Sequence, residues 1–494
     1  MGLIKEQTIK GTIINYIGIG IGFVTTAILT PLIDSEVIGL VSVIISYSII
    51  ISNLGGLGLN GITVKLFPYF RTKDNKNNGF LFLSIGIALV GFALASLIVI
   101  ILKDIAYSNR SNNDLFLQYY YYIIPVVFFQ IFFNLFDNYY KVIFDAIKGI
   151  YLREFVQKLG TLFAIFMMVS GFLSLDVFVF VYLLGFSLPG ILIIIIAIFD
   201  RKNHFRPHLD FVDPSLKKSI ISVGIFSIVS GASGIIAINI DKIMIEDMTN
   251  LSNAGVYTVA FYFGLIISIP ARSLIKIASA LITEAMKNNN MEEVNSIYKK
   301  SSINLFIFGS LFLTGLYINV DNIVILLSND YGTGINVILI IGLAFLVDML
   351  GGTASQILFV SHLYKLQTYI MIAFVFFVII TNYIFIPLYG ITGAAIATLI
   401  SKVIINFIRF IIIYKSFKLQ PYNYKFLLII MISGLLLLVN YFLIPKQENF
   451  IIDIILRSSI TAIIYLIFIY IFNISEDINQ QLNQIYKTIR QKKK

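Results

Sequence analysis

Four ionisable residues stand at depths where an apolar chain has least reason to place them. Arg272 and Lys276 lie in "IPARSLIKIASALITEA" (269–285), Asp348 in "GLAFLVDMLGG" (342–352) and Lys402 in "ATLISKVIINF" (397–407). The run from Gly255 to Ile269 before the first pair carries no charge. A charged side chain near a bilayer centre is costly and is retained mainly where it does chemistry. A guanidinium binds phosphate oxygens through two parallel hydrogen bonds, and an ammonium adds a point charge. A deep carboxylate can take a proton or hold a cation. Pro270, two residues before Arg272, removes one backbone hydrogen bond and is expected to act as a hinge in that helix.

These residues need positioning elements, and composition says what kind. The chain has 494 residues, 58% hydrophobic and 13% charged, with a mean hydropathy of +0.90. Soluble domains are closer to half apolar and a quarter charged, so the solvent here is lipid. The net charge of +10 could suit nucleic acid, but the basic residues are scattered through short loops, so no nucleic-acid partner is expected. With no cysteine, disulfides, thiolate metal sites and thiol catalysis are excluded. No cofactor is called for.

Apolar runs of about 20 residues mark membrane spans. Fourteen are expected, near 12–32, 37–60, 79–102, 115–136, 157–174, 176–199, 219–240, 254–282, 301–320, 334–356, 367–386, 389–412, 425–444 and 451–472. Helices are required, because runs such as "ILIIIIAIF" (191–199) lack the alternation of a barrel strand. With the N-terminus inside, 28 of the 36 Lys and Arg fall in inner segments and four (Lys103, Arg110, Lys242, Lys446) in outer loops. That asymmetry puts both termini in the cytoplasm. The expected organisation is all-α: a six-span lobe over 1–200, a charged cytoplasmic link over 201–218 and a second six-span lobe over 219–412. Two further helices and a basic tail occupy 413–494.

Arg272 lies about 17 residues into span eight, Asp348 about 14 into span ten and Lys402 about 13 into span twelve, one depth band past the midplane at roughly 1.5 Å per residue. The band nets to +1. Lys276 and Arg409 are near enough to inner ends to snorkel. Asp453 and Arg457, four apart on span fourteen, suit a local pair. Asp348 and Lys402 suit either a neutral pair that holds two helices together or a pair that opens during transport. Arg272 has no partner on its own helix.

"EVIGLVSVIISY" (36–47) and "NAGVYTVAFYFG" (253–264) align on sliding by 216, which places Gly39 on Gly255 and Val43 on Val259. Each opens a span that runs outside to inside, so the repeat would be a parallel one. "NIDKIMIEDMTNLSNAGVYTVAFYFG" (239–264) resembles the Asp-Lys/Arg…Gly-x-Tyr-x-x-Ala segment of bacterial polysaccharide flippases. These O-antigen-type flippases belong to the multidrug/oligosaccharidyl-lipid/polysaccharide exporter superfamily. "ASALITEAMKNNN" (278–290) is similar to the inner end of the following helix in that family, and "IPLYGITGAAIATLIS" (386–401) to its turn between spans eleven and twelve.

The resemblance implies two six-helix lobes plus two extra helices. It further implies export of a lipid-linked pyrophosphate oligosaccharide from the cytoplasmic leaflet by alternating access, and a bacterial cytoplasmic-membrane location. On that basis Arg272, Lys402 and Lys276 are candidate substrate-binding residues, and Asp348 is the candidate coupling site for H+ or Na+. The expected partners are the lipid-linked substrate and membrane lipids, and the expected state is a monomer. One rival is a cation-coupled multidrug antiporter of the same superfamily. The net positive band and a first span with no acid argue against an organic-cation substrate. A membrane glycan polymerase would need large outer loops or acids for catalysis, and the sequence offers neither, so no enzyme is expected. His204 and His208 straddle Pro207 in the inner link and suit solvated loop residues.

Overall fold

A peptide group in hydrocarbon finds no water to bond, so a chain this apolar must satisfy its backbone within helices. The computed structural model describes residues 2–72, 76–106, 114–201, 203–207, 209–327 and 329–492. Within that set, the side chains of 2–9, 12, 105, 106, 209, 270, 272, 273, 329 and 485–492 lie outside the description. The described residues are helical throughout their ordered elements, and they divide into two compact units, Met1–Thr258 and Val259–Lys494.

The first unit begins with α1 (Gly2–Phe23), which continues through a π-helical turn at Val24–Leu29. α2 (Ser35–Gly55) and α3 (Leu59–Phe70) form one span interrupted at Gly58, whose φ of +74° is left-handed and suits glycine. α4 (Phe80–Ala106), α5 (Leu115–Tyr119), α6 (Ile123–Val142), α7 (Ile147–Tyr151), α8 (Gln157–Val169) and α9 (Leu175–Phe199) follow. Asp114 caps α5 by accepting from the Phe116 amide at 2.9 Å. α10 (Pro214–Met248) starts on Asp213, which accepts from Leu216 N at 2.7 Å, with Pro214 in the first turn where its missing N–H costs nothing. α11 (Leu251–Leu265) contains the division between the units.

α10 packs on α2 and α3. A Cβ on Gly58 would collide with the Gly224 backbone, and the Gly61 amide donates to Ser227 Oγ at 3.0 Å. The first compact unit therefore extends past the 201–218 link and includes α10. Lys242, read from sequence as an outer-loop residue, is inside the last two turns of α10 because that helix continues to Met248.

In the second unit α12 (Ile269–Lys287) follows a 3₁₀ turn at Ile266–Ser268 that breaks the eighth span, with Pro270 in the first turn of the new helix. α13 (Met291–Ile318), α14 (Val320–Leu326), α15 (Ile335–Leu350) and α16 (Ala354–Val360) come next. α17 (Tyr364–Phe417) has 54 residues, about 80 Å if straight, far beyond a bilayer. It is not straight. Gly390 adopts φ 56°, ψ −135° and divides it into the two spans expected at 367–386 and 389–412. α18 (Tyr424–Leu443), α19 (Phe450–Ile471) and the amphipathic α20 (Glu476–Lys492) end the chain.

Among the described residues, twelve helical segments are long and apolar enough to cross a membrane. Dividing α17 adds one, and α7–α8 with the π-helical turn between them supply the fifth expected span. The architecture is an all-α polytopic membrane protein with about fourteen spans.

Candidate functional site

Asp348, Lys402 and Arg409 gather where α15 and the later half of α17 run side by side. A cavity of about 410 Å³ opens there within the unit. Its apolar wall comes from Ala271 and Ile275 on α12, Leu305 on α13, and Phe345 and Met349 on α15. Its polar wall is Ser268, Asp348, Ser355, Asn406 and Arg409. Between α15 and α16 the backbone turns at Gly352, whose φ of +55° and close approach to Ser302 leave no room for a side chain. That turn ends α15 soon after Asp348 and brings α16 across the cavity.

Lys402, Asn406 and Arg409 are spaced i, i+4, i+7 on α17, which puts all three on one face toward α15. Lys402 Nζ pairs with Asp348 Oδ2. Asn406 Nδ2 donates to Asp348 Oδ1 at 2.9 Å and to the Lys402 carbonyl at 3.0 Å. Lys402 also sits 4.3 Å from the centre of the Phe345 ring, a geometry in which the ring face attracts the cation. The Lys402 side chain is 12% exposed and that of Asp348 39%. The carboxylate is thus the member that faces the cavity, and the ammonium neutralises it from behind.

Arg409 is the lining cation left over. Its Nη1 donates to Asn406 Oδ1 at a long 3.4 Å and its Nη2 to the Met371 sulfur at 3.2 Å, while its buried Nε has no partner. A guanidinium carries five N–H donors, so most of this one's capacity is unspent. The cavity wall can therefore offer strong donors to an anion beside a carboxylate that is already neutralised.

The structure brings Asp348 and Lys402 together as a pair. Lys276 is exposed on α12 and does not line this cavity. Arg272 follows Ala271, which does line it, so the α12 backbone at Arg272 runs along the wall; the side chains of Arg272 and Pro270 lie outside the described residues. Arg409 was expected to snorkel, and Asn406 was not singled out. The period linking both to Lys402 was legible, but only the rotation of α17 against α15 turns that period into a cavity face. The pair expected on span fourteen forms: Arg457 Nε lies 2.9 Å from Asp453 Oδ2, and Asn322 Nδ2 donates to the same oxygen at 2.7 Å, joining α14 to α19. Among the described residues no group of three His, Asp or Glu side chains is arranged to hold a metal ion; His208 lies outside them.

A family model described as "Polysaccharide biosynthesis protein" matches residues 4–279. Solved structures share the fold at low sequence identity. One is the lipid II flippase MurJ in an inward closed conformation, at 18% identity and a TM-score of 0.74, covering 94% of this chain and 98% of that one. A second is an inward-facing multidrug resistance MATE family transporter of the MOP superfamily, at 14% identity and 0.66, covering 82% and 94%. A third is a MOP superfamily transporter from Pyrococcus furiosus, whose structure was described as having a binding pocket of reverse polarity, at 14% and 0.59, covering 84% and 96%. No curated protein matches the chain in sequence.

Proposed function

The chain belongs to the polysaccharide biosynthesis protein family, and on that premise we propose that it is a flippase for a lipid-linked pyrophosphate oligosaccharide. It moves the substrate from the cytoplasmic to the outer leaflet of a bacterial cytoplasmic membrane by alternating access. The two six-helix lobes are 1–200 and 219–412, joined by 201–218. The protein works as a monomer with both termini in the cytoplasm.

The observation that carries this reading is Arg409, a cation with unspent donors on the wall of a cavity enclosed by apolar spans. A pyrophosphate is a dense anion and needs such donors to cross a region of low dielectric. Arg272, on the adjoining stretch of α12, supplies a second guanidinium, and Lys276 attracts the headgroup nearer the cytoplasmic end. The 3₁₀ break at Ile266–Ser268 and Pro270 give α12 a hinge. Asp348 releases Lys402 when H+ or Na+ arrives, which couples the cycle to an ion gradient, and the freed ammonium joins the substrate.

The test is transfer of a polyprenyl-pyrophosphate-linked saccharide between leaflets of vesicles that contain the purified protein. Transfer should require the protein. Arg409→Gln and Arg272→Gln should each slow it about tenfold or more, the scale of a lost hydrogen bond to a charged group. A cation-coupled drug antiporter is the second reading, favoured by the cavity-facing position of Asp348. Absence of lipid transfer together with proton-driven export of an organic cation would establish that reading instead.

A further inference from the structure

The first unit carries a polar surface that the cavity of the second unit does not use. It forms at the break between α2 and α3, where Ser52 and Asn53, Asn60, Asn134 of α6 and Ser227 of α10 converge on a void of about 10 Å³, room for a single water. Asn138, one turn beyond Asn134, donates through Nδ2 to Asn60 Oδ1 at 2.8 Å and to the Asn134 carbonyl at 2.7 Å. Arg153, in the π-helical turn Leu152–Val156, donates to Asn134 Oδ1 at 3.2 Å and lies 4.5 Å over the Phe133 ring. The result is a seam of four amides with one guanidinium at its end.

The seam is only half satisfied. Both ends of the Asn53 amide, the NH₂ groups of Asn60 and Asn134, and the Asn138 carbonyl oxygen have no protein partner among the described residues. Asn60 is exposed, and Asn53, Asn134 and Asn138 are half-buried. These open donors and acceptors are accessible, so the face can bond a polar occupant, whether water or a ligand's polar groups.

The type of donor and acceptor narrows the occupant. No carboxylate is among the seam's hydrogen-bonding groups and the neighbouring Asp137 is paired with Lys141, so the seam is not built for a cation, and its single guanidinium is too little for a pyrophosphate. Each amide offers a donor and an acceptor side by side, which is the complement of a hydroxyl, itself both donor and acceptor. Repeated hydroxyls spaced along a neutral scaffold are the chemistry of a saccharide. We infer that the seam formed by Asn53, Asn60, Asn134 and Asn138, with Arg153 at its end, is a saccharide-binding surface that reads the sugar hydroxyls. This rests on the flippase reading above.

The experiment measures binding of two probes to the purified full chain in nanodiscs: a polyprenyl pyrophosphate, and the same lipid bearing one N-acetylglucosamine. The wild type should hold the sugar-bearing lipid about tenfold more tightly, the scale of two or three hydrogen bonds of about 0.5 kcal/mol each. Asn53→Leu and Asn138→Leu should abolish that preference while leaving affinity for the sugarless lipid in place. Arg409→Gln should weaken both probes alike. A wild type without preference, or seam variants that weaken both probes equally, would overturn the saccharide surface and leave the flippase reading standing. A wild type that binds neither probe would remove the flippase reading and the inference with it.

Discussion

Gly39 of α2 and Gly255 of α11 meet backbone to backbone within the first unit. A Cβ on Gly39 would strike the Leu251 carbonyl oxygen, and one on Gly255 would strike that of Ser35. The contact is extended by a Ser35–Ser252 hydroxyl pair at 2.6 Å and by Thr258 Oγ1 donating to Ser42 Oγ at 3.0 Å. Gly39 and Gly255, and Ser42 and Thr258, are 216 positions apart, the offset at which the two stretches align in sequence, and Ser35 and Ser252 are 217 apart. Residues matched by the repeat therefore meet at or within one position of their counterparts. Gly39→Ala or Gly255→Ala must push the helices apart, at about 1–3 kcal/mol, the usual cost of overpacking. A lower midpoint of thermal unfolding, followed by circular dichroism in detergent, is the expected result. An unchanged midpoint would mean that the contact yields without strain.

The same contact lies where α2 and α11 begin, at the outer end assigned by the charge asymmetry. On the flippase reading proposed above, alternating access requires that end to open. The chain contains no cysteine, so a Ser35→Cys, Ser252→Cys double variant would contain one crosslinkable pair, with side-chain oxygens in the parent close enough for disulfide geometry. Oxidation should arrest lipid transfer, and reduction should restore it. Each single variant should transfer at the parent's rate under both conditions. Transfer that continues in the crosslinked protein would show that this end stays closed throughout the cycle.

The turn that divides α17 tests a different property of glycine. No atom lies within 4 Å of a Cβ built on Gly390, so space is not its constraint. Its φ of 56° and ψ of −135° lie in a region used by glycine at the first central position of type II′ turns. Gly390→Ala should therefore destabilise through backbone strain alone, by about 1–3 kcal/mol. Gly393 is the opposite case, since its Cβ would collide with the Phe385 carbonyl. Alanine at either position should lower the unfolding midpoint. The Gly393 clash is with main-chain atoms, so no side-chain change at a neighbour should relieve either variant.

What the sequence revealed follows from which signals are one-dimensional. Span number and the break near Pro387 are local: run length sets the first, and a proline followed by Gly390 sets the second. Gly39 and Gly255 could be matched because the repeat has a fixed offset. Partners across helices are another matter. Asp348 and Lys402 share a depth band, and depth can be counted, yet Asn406 and Arg409 join them only through the rotation of α17 against α15. The first unit shows the same limit more sharply. Arg153 reads as an inner-loop cation until the π-helical turn carries it onto Asn134, and four scattered asparagines become a seam only when α2 breaks at Gly58.

The Asp348–Lys402 pair yields the most decisive outcome for mechanism. Asp348→Asn leaves an ammonium against Phe345 with no counter-charge, and Lys402→Met leaves a carboxylate with the Asn406 hydrogen bond and Arg409 as the cation nearby. Breaking one partner of a largely buried pair costs about 3–5 kcal/mol, and the open side of Asp348 moves the expectation toward the lower figure. The double variant removes both charges and should recover most of that loss, so the two effects should be strongly non-additive in unfolding midpoints. A purely structural pair predicts that the double variant also regains transport with its normal dependence on an ion gradient. A coupling pair predicts restored stability with gradient dependence lost, because no carboxylate remains to exchange Lys402 for a cation. Measuring midpoint and gradient dependence on the same four proteins separates the two roles, and lost gradient dependence in a stable double variant is the outcome expected here.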